Sequence, residues 1–204
     1  PLIEPIPRYE PGDRLVDIVT RLGLSPEIAE LLGASLFRQD GEFRVYSHQQ
    51  QALETSMSEK PGAPRNFILT AGTGSGKTES FLLPVFARLL RESAGWGAPN
   101  ATAPAWWEES QQRSAFAPVR ALENRKTGIR AVVLYPTNAL VQDQLTRLRR
   151  AVSVAEDDGI LGGNRIYIGQ YTSSTLGNGA APLGSKRDDR RDDASIQIRA
   201  MGEE

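Results

Sequence analysis

Apolar positions recur at helical intervals through the first part of the chain. Leu15, Ile18, Val19 and Leu22 predict a helix over 13–22. Ser25-Pro26-Glu27 is the start signal of a second, which carries Ile28, Leu31 and Leu32 as far as Gly33. These two short helices make an accessory segment, 1–42, ahead of a main domain over 43–204. Ser47 and Gln50 have the spacing of a capping box, in which a hydroxyl accepts an early backbone N–H and an amide reaches back. They open a helix over 47–58 that Lys60-Pro61-Gly62-Ala63-Pro64 ends.

The pattern then changes to short continuous apolar runs. Asn66-Phe67-Ile68-Leu69-Thr70, Ile129 to Tyr135 and Arg165 to Gly169 read as buried strands of a parallel sheet. Helical patterns at 77–92 and 139–150 follow the first two. Pro84 lies inside the earlier one and predicts a kink or a lost hydrogen bond. The later one gathers Leu140, Val141, Leu145 and Leu148 on one face, with Arg147, Arg149 and Arg150 near the negative pole of its dipole. Strand alternating with helix predicts an α/β domain with right-handed crossovers. Between these units, 93–128 is an insertion rich in Ala, Pro and Gly that holds all three tryptophans, Trp96, Trp106 and Trp107. Those rings either pin the insertion to the body or offer stacking surface to a base or partner. From about 177 the chain is rich in Gly, Asp and Arg, and Lys186 to Asp193 mixes both signs, which predicts a mobile solvated tail.

Composition narrows the chemistry. The 204 residues suit one ordinary domain with appended segments, and 39% hydrophobic with 24% charged residues is a globular composition. No window approaches the ~18 apolar residues of a membrane span, so the expected location is cytoplasmic, with no membrane partner. Cysteine is absent and His48 is the single histidine, which excludes disulfides and thiolate or histidine-cluster metal sites and leaves oxygen ligands. A net charge of −1 gives no electrostatic signature of nucleic-acid binding, so any such role rests on motifs. The chain opens on Pro1 and closes at Glu204 in a polar stretch, and both ends read as cuts through a longer protein.

Residues 71 to 78 read A-G-T-G-S-G-K-T between an apolar run and a helix. Glycines 72, 74 and 76 permit positive φ, so successive amides can turn inward and cradle a β-phosphate at a positive helix terminus. Lys77 would reach the β- and γ-phosphates, and the Thr78 hydroxyl would be a ligand of Mg²⁺. Both are assigned catalytic roles, with Thr78 also the metal residue.

The general loop has glycine at the first position, where this chain has Ala71, and A-x-T-G-S-G-K-T resembles the superfamily 2 helicase version. Three further blocks carry the same resemblance to DEAD/DEAH-type helicases. Tyr46-Ser47-His48-Gln49 is similar to the adenine-reading Q-type motif, which implies that Gln49 pairs with the adenine edge; helix-surface glutamines beside a packed histidine are the other reading. Leu134-Tyr135-Pro136-Thr137-Asn138-Ala139-Leu140, followed by Gln142-Asp143-Gln144, is similar to motif Ia. This implies that Pro136, Thr137 and Asn138 touch a nucleic-acid backbone, as a helix N-terminus can whether or not Thr137 is also a cap. Gly169 to Thr175 resembles the T-G-x-T motif with Ser173 in place of glycine, which points to Thr172 and Thr175 as strand contacts or to an ordinary polar loop.

The resemblance spans about 43–175 and implies a P-loop, RecA-like fold that binds ATP with Mg²⁺. The implied nucleotide contacts are Gln49, Thr73, Gly74, Ser75, Gly76, Lys77, Thr78 and Glu79. The implied partners are single-stranded nucleic acid, DNA in preference, and the remainder of the same polypeptide, including a second RecA-like domain. GTGSGKTESFLLPVF with LYPTNALVQDQLTRLRR is similar to large bacterial helicases, some of which belong to anti-phage defence systems, which implies protein partners of a defence complex. The family's acidic D-E-x-H strand and arginine fingers do not occur in these residues. The chain therefore reads as the N-terminal portion of motor domain 1, inactive in hydrolysis alone. The alternatives are a nucleotide-dependent switch or remodelling subunit that binds ATP and a protein without unwinding, and a non-motor P-loop enzyme.

Overall fold

The computed structural model of the chain describes residues 9–64, 66–72, 74–99 and 123–172. Its first element is a strand: β1 (Pro11–Arg14) pairs antiparallel with β2 (Arg44–Tyr46). The pairing delays the helix expected from residue 13, so α1 runs Leu15–Arg21. It begins where the Leu15 and Val16 amides donate to the Phe43 and Gly41 carbonyls at 3.0 and 2.9 Å. α2 (Pro26–Leu32) starts on proline at its first position, as the sequence predicts.

Gly33 does not end that helix. A π-helical turn, Gly33–Phe37, continues it and stops at Arg38, whose φ of 59° is left-handed. The Asp40 and Gln39 carbonyl oxygens stand 2.6 and 2.8 Å from where a Cβ on Gly33 would lie. Glycine is therefore needed there for close backbone approach rather than for its φ.

α3 (Ser47–Met57) and α4 (Lys77–Ser93) pack together, and α5 (Asn138–Asp158) lies against the π-helical turn and α2. α4 runs through Pro84 as one element, at the cost of the single hydrogen bond that the missing N–H would have made to Ser80. α5 extends well beyond the expected 150, to Asp158, because Ala151, Val152 and Ala155 keep the apolar spacing and are buried. Gly159, at φ 83°, terminates it.

One apolar core joins all five helices. It contains Leu15, Ile18 and Val19 of α1, Ile28, Leu31 and Leu32 of α2, Leu53 and Met57 of α3, Leu83, Phe86 and Leu90 of α4, and Ala151, Val152 and Ala155 of α5. At about 1.5–3 kcal/mol per large aliphatic or aromatic side chain, the helices before residue 43 contribute as much to it as those after. No helix of the described residues is long and apolar enough to cross a membrane.

The expected parallel sheet is not formed among the described residues, where β1 and β2 make a two-stranded antiparallel sheet. The segments 66–70, 129–135 and 165–169 carry no ladder pairing; the first two lack the expected burial, with Ile68 92% exposed, Ile129 84% and Leu134 87%, whereas Ile166 and Ile168 of the third pack partly buried against the helical core. The physical reason is that a strand buries both apolar faces only between neighbouring strands and covering layers, and among the described residues these runs have no strand neighbours.

Within the insertion, Trp96 packs against the core. The Arg125 guanidinium lies 4.3 Å from its ring centroid and 5.7 Å from that of Tyr167, and pairs with Glu123 at 2.6 Å. This tryptophan pins its segment to the body. Trp106 and Trp107, and the expected tail from 177, lie outside the described residues.

Candidate nucleotide site

The loop ahead of α4 takes its shape from its glycines. Gly74 and Gly76 both have φ of 76°, and Gly76 is the N-cap of α4. Lys77 and Thr78 follow as the first residues of a 17-residue helix whose N-terminal amides lack intrahelical partners. Ser80 accommodates the tight entry, as both its amide and its hydroxyl donate to the Gly76 carbonyl at 3.1 Å.

α3 holds this loop from the side. His48 Nε2 lies 2.9 Å from the Ser75 carbonyl oxygen, and Gln49 Nε2 donates to the Gly76 carbonyl at 3.2 Å. The other end of the Gln49 amide accepts the Tyr46 N–H at 2.9 Å. That bond shifts the capping arrangement by one residue: Gln49, not Gln50, reaches back, and Ser47 lies inside the helix. Gln50 instead accepts the Asp13 N–H at 2.8 Å and ties α3 to β1. Gln49 is buried, so both polar ends assigned to adenine from the sequence are occupied by protein partners. The Tyr46 ring stacks on His48 at 5.6 Å, and Tyr9 closes the cluster at 5.4 Å from Tyr46.

Lys77 Nζ donates to the carbonyls of Ala71, at 2.7 Å, and Gly72. The ammonium thus caps the concave side of the loop. Ser75 Oγ is buried without a hydrogen-bond partner among the described residues. A buried orphan hydroxyl, a cationic side chain on exchangeable carbonyl partners and a free helix N-terminus suit a polyphosphate with its cation, so the residues present fit that group. Beside the loop is a cleft of about 630 Å³, within the usual span of small-molecule sites. Gly74 to Glu79, Gln49 and Arg147 line it, together with Phe37, Gln39, Phe43, Arg44 and Tyr46.

The remaining sequence-predicted residues fall elsewhere. Thr137 is the N-cap of α5 and accepts the Leu140 N–H at 3.4 Å; it, Pro136 and Asn138 are exposed and take no part in lining the cleft. Thr172 is buried, which distinguishes it from the exposed motif Ia residues. Thr73 and Thr175 lie outside the described residues.

Three participants were not read from the sequence. His48 stood within the quoted Y-x-H-Q block without a role. The lining residues Phe37, Gln39, Phe43 and Arg44 straddle the end of the accessory segment, and nothing in their pattern signals a ligand. Arg147 pairs through Nη2 with Glu79 Oε1, a contact across 68 positions of chain that no local pattern announces.

A glycine-shaped loop feeding lysine and threonine into a helix, with a His-Gln pair against it, is an arrangement suited to nucleotide phosphates. Residues 46–170 match the family described as DEAD/DEAH box helicase, and the chain belongs to that family. The chain is also 35% identical over 202 residues to Druantia protein DruE of Escherichia coli (strain UMEA 4076-1). The match covers 97% of this chain, and the chain spans 9% of the length of that curated relative. No solved structure matches.

Proposed function

We propose that this chain is the nucleotide-gripping portion of an ATP-driven motor that moves along single-stranded nucleic acid, DNA in preference. The observation that carries the reading is the loop from Ala71 to Thr78, with Gly74 and Gly76 at positive φ and Lys77 and Thr78 at the start of a long helix. Family membership selects a helicase-type motor from the many users of such loops.

In this reading Gly74, Ser75, Gly76 and Lys77 present backbone amides to the phosphates, with Thr73 and Glu79 at the ends of the contact set. Lys77 exchanges the Ala71 and Gly72 carbonyls for β- and γ-phosphate oxygens, and Ser75 Oγ gains the acceptor it lacks. Gln49 reads adenine by releasing Tyr46 and Gly76, which links base recognition to the position of the loop. Mg²⁺, held through the Thr78 hydroxyl, would neutralise phosphate charge. Pro136, Thr137 and Asn138 hold the strand by its backbone, together with Thr172 and Thr175, so grip does not depend on sequence.

The three apolar runs at 66–70, 129–135 and 165–169 pair as the parallel sheet of a RecA-like domain when the rest of the motor covers them. Their exposed Ile68, Ile129, Val132 and Leu134 are what such covering would bury. No Asp-Glu pair occurs in the chain, so the acidic water-orienting strand and the arginine fingers belong to other parts of the motor, and these residues alone bind nucleotide without turnover. ATP closes two RecA-like domains on the strand and hydrolysis releases them. The resemblance of the loop and motif Ia blocks to large bacterial helicases, some of them in anti-phage systems, is what supports an anti-phage setting with protein partners, which we place in the cytoplasm.

The test is ATP hydrolysis by the full-length protein with and without oligonucleotide. Stimulation by single-stranded DNA is the expected result. Basal turnover that neither single-stranded DNA nor RNA changes would favour a switch that answers to a protein partner.

A further inference from the structure

Glu79 sits immediately after the phosphate-binding Thr78, and its carboxylate faces two ways. Oε1 accepts from Arg147 Nη2 of α5, and Oε2 lies 3.4 Å from where a side chain on Gly76 would begin. The Glu79 side chain is only 16% exposed, so its charge is poorly screened by water. A carboxylate so placed repels a triphosphate on the loop unless a cation neutralises it.

Arg147 is the cation that does so, and it lines the same cleft as Gly74 to Glu79. It is carried by the helix whose first residues, Thr137 and Asn138, form the strand contact. Nine positions of α-helix separate Arg147 from Asn138, roughly 14 Å at ~1.5 Å per residue. An α-helix is stiff over that length, so a change at its N-terminus is felt at Arg147.

We infer that Arg147 is a positioning residue that couples strand binding to nucleotide binding. With a strand on α5, Arg147 stays on Glu79 and the loop accepts anionic phosphate; with α5 displaced, Glu79 is left unpaired and pushes phosphate away. The inference rests on the proposed strand contact at Pro136 to Asn138, and it assigns a role to an ion pair that could otherwise be packing alone.

The test uses the full-length protein, a fluorescent, slowly hydrolysed ATP analogue and oligo-dT. Nucleotide Kd is measured with and without saturating oligo-dT, and the ratio of the two is the coupling, which oligo-dT affinity measured with and without nucleotide must reproduce. The expected wild-type ratio is about tenfold in the direction of tighter binding, within the usual range of such couplings. Arg147→Ala should bring it within twofold of unity, and Arg147→Lys should restore part of it. Adding Glu79→Gln to Arg147→Ala should change the ratio no further, as expected of two groups acting through one contact. A merely structural role predicts that Arg147→Ala weakens both Kd values by the same factor and keeps the ratio, which would overturn the inference. Wild-type protein that binds nucleotide and oligo-dT independently would also overturn it while leaving the proposed function standing. Failure to bind oligo-dT at all would remove the functional reading itself.

Discussion

Gly76 meets two constraints at once. Its φ of 76° is strained for any residue with a side chain, and an added Cβ would lie 2.4 Å from Gln49 Nε2. Gly76→Ala should therefore cost about 1–2 kcal/mol of stability from the backbone alone, read as a lower urea midpoint, with a larger loss of nucleotide affinity because Gln49 must move. Lys77→Ala tests the same loop differently. Among the described residues the ammonium donates to loop carbonyls, so circular dichroism should be unchanged while nucleotide affinity falls more than about tenfold, the worth of a charge-assisted hydrogen bond of roughly 1.5–3 kcal/mol. Loss of helical signal in that variant would contradict a purely ligand-facing role. At this scale the sequence was legible where a residue acts through its own backbone or the next turn, as the loop glycines do. It was not legible for Gln49, whose amide is claimed by partners 27 positions away and on its own turn.

Helices that end or begin at the site respond through packing and capping. Leu83 and Phe86 on α4 are buried in the shared core. Leu83→Ala should destabilise by about 2–5 kcal/mol, measured by chemical denaturation, with helix α1 melting in the same transition because the core is common to both. Removing the Thr137 hydroxyl takes the cap from α5 and a donor from the proposed strand contact. Thr137→Ala should cost about 1 kcal/mol of stability and weaken single-stranded DNA binding for all sequences alike, leaving nucleotide affinity in the absence of strand little altered. Loss confined to one sequence would argue for base reading instead. The end of α4 is pinned to the segment after the insertion by Arg130, whose guanidinium meets Glu92 at 2.6 Å. The hydrogen bond from Arg130 holds the Glu92 carboxyl below its ordinary pKa against the opposing effect of burial. With a folded value below the unfolded one, this pair stabilises above the ordinary carboxylate range and is lost as acid protonates Glu92. Glu92→Gln should therefore flatten the acid limb of the stability profile. The helices and most of their starts were readable because apolar spacing and proline or glycine punctuation are local, whereas the strands were not. The π-helical turn after Gly33 was not, because the carbonyls that crowd it belong to Gln39 and Asp40 and reach it only once the chain has turned back.

Across the whole molecule, the helices close a core while the apolar runs at 66–70 and 129–135 remain exposed. If these runs are strands of a sheet completed by the rest of the motor, their amides should exchange slowly with deuterium in the full-length protein and rapidly in the isolated 204-residue chain. Equal, fast exchange in both would argue against a parallel sheet there. The accessory segment also changes meaning at this scale, because its Phe37 and Gln39 line the candidate nucleotide cleft.

The glycine-rich loop, the helices that flank it and the family they resemble were legible in the residues alone, since each rests on residues within a turn or two of one another. What only the tertiary structure decided was the company these parts keep: His48 and Gln49 against the loop, Arg147 against Glu79, and the N-terminal helices in the shared core. The loop and ion-pair contacts join positions 27 or more apart, and periodicity along a chain carries no information about which of its faces meet in space.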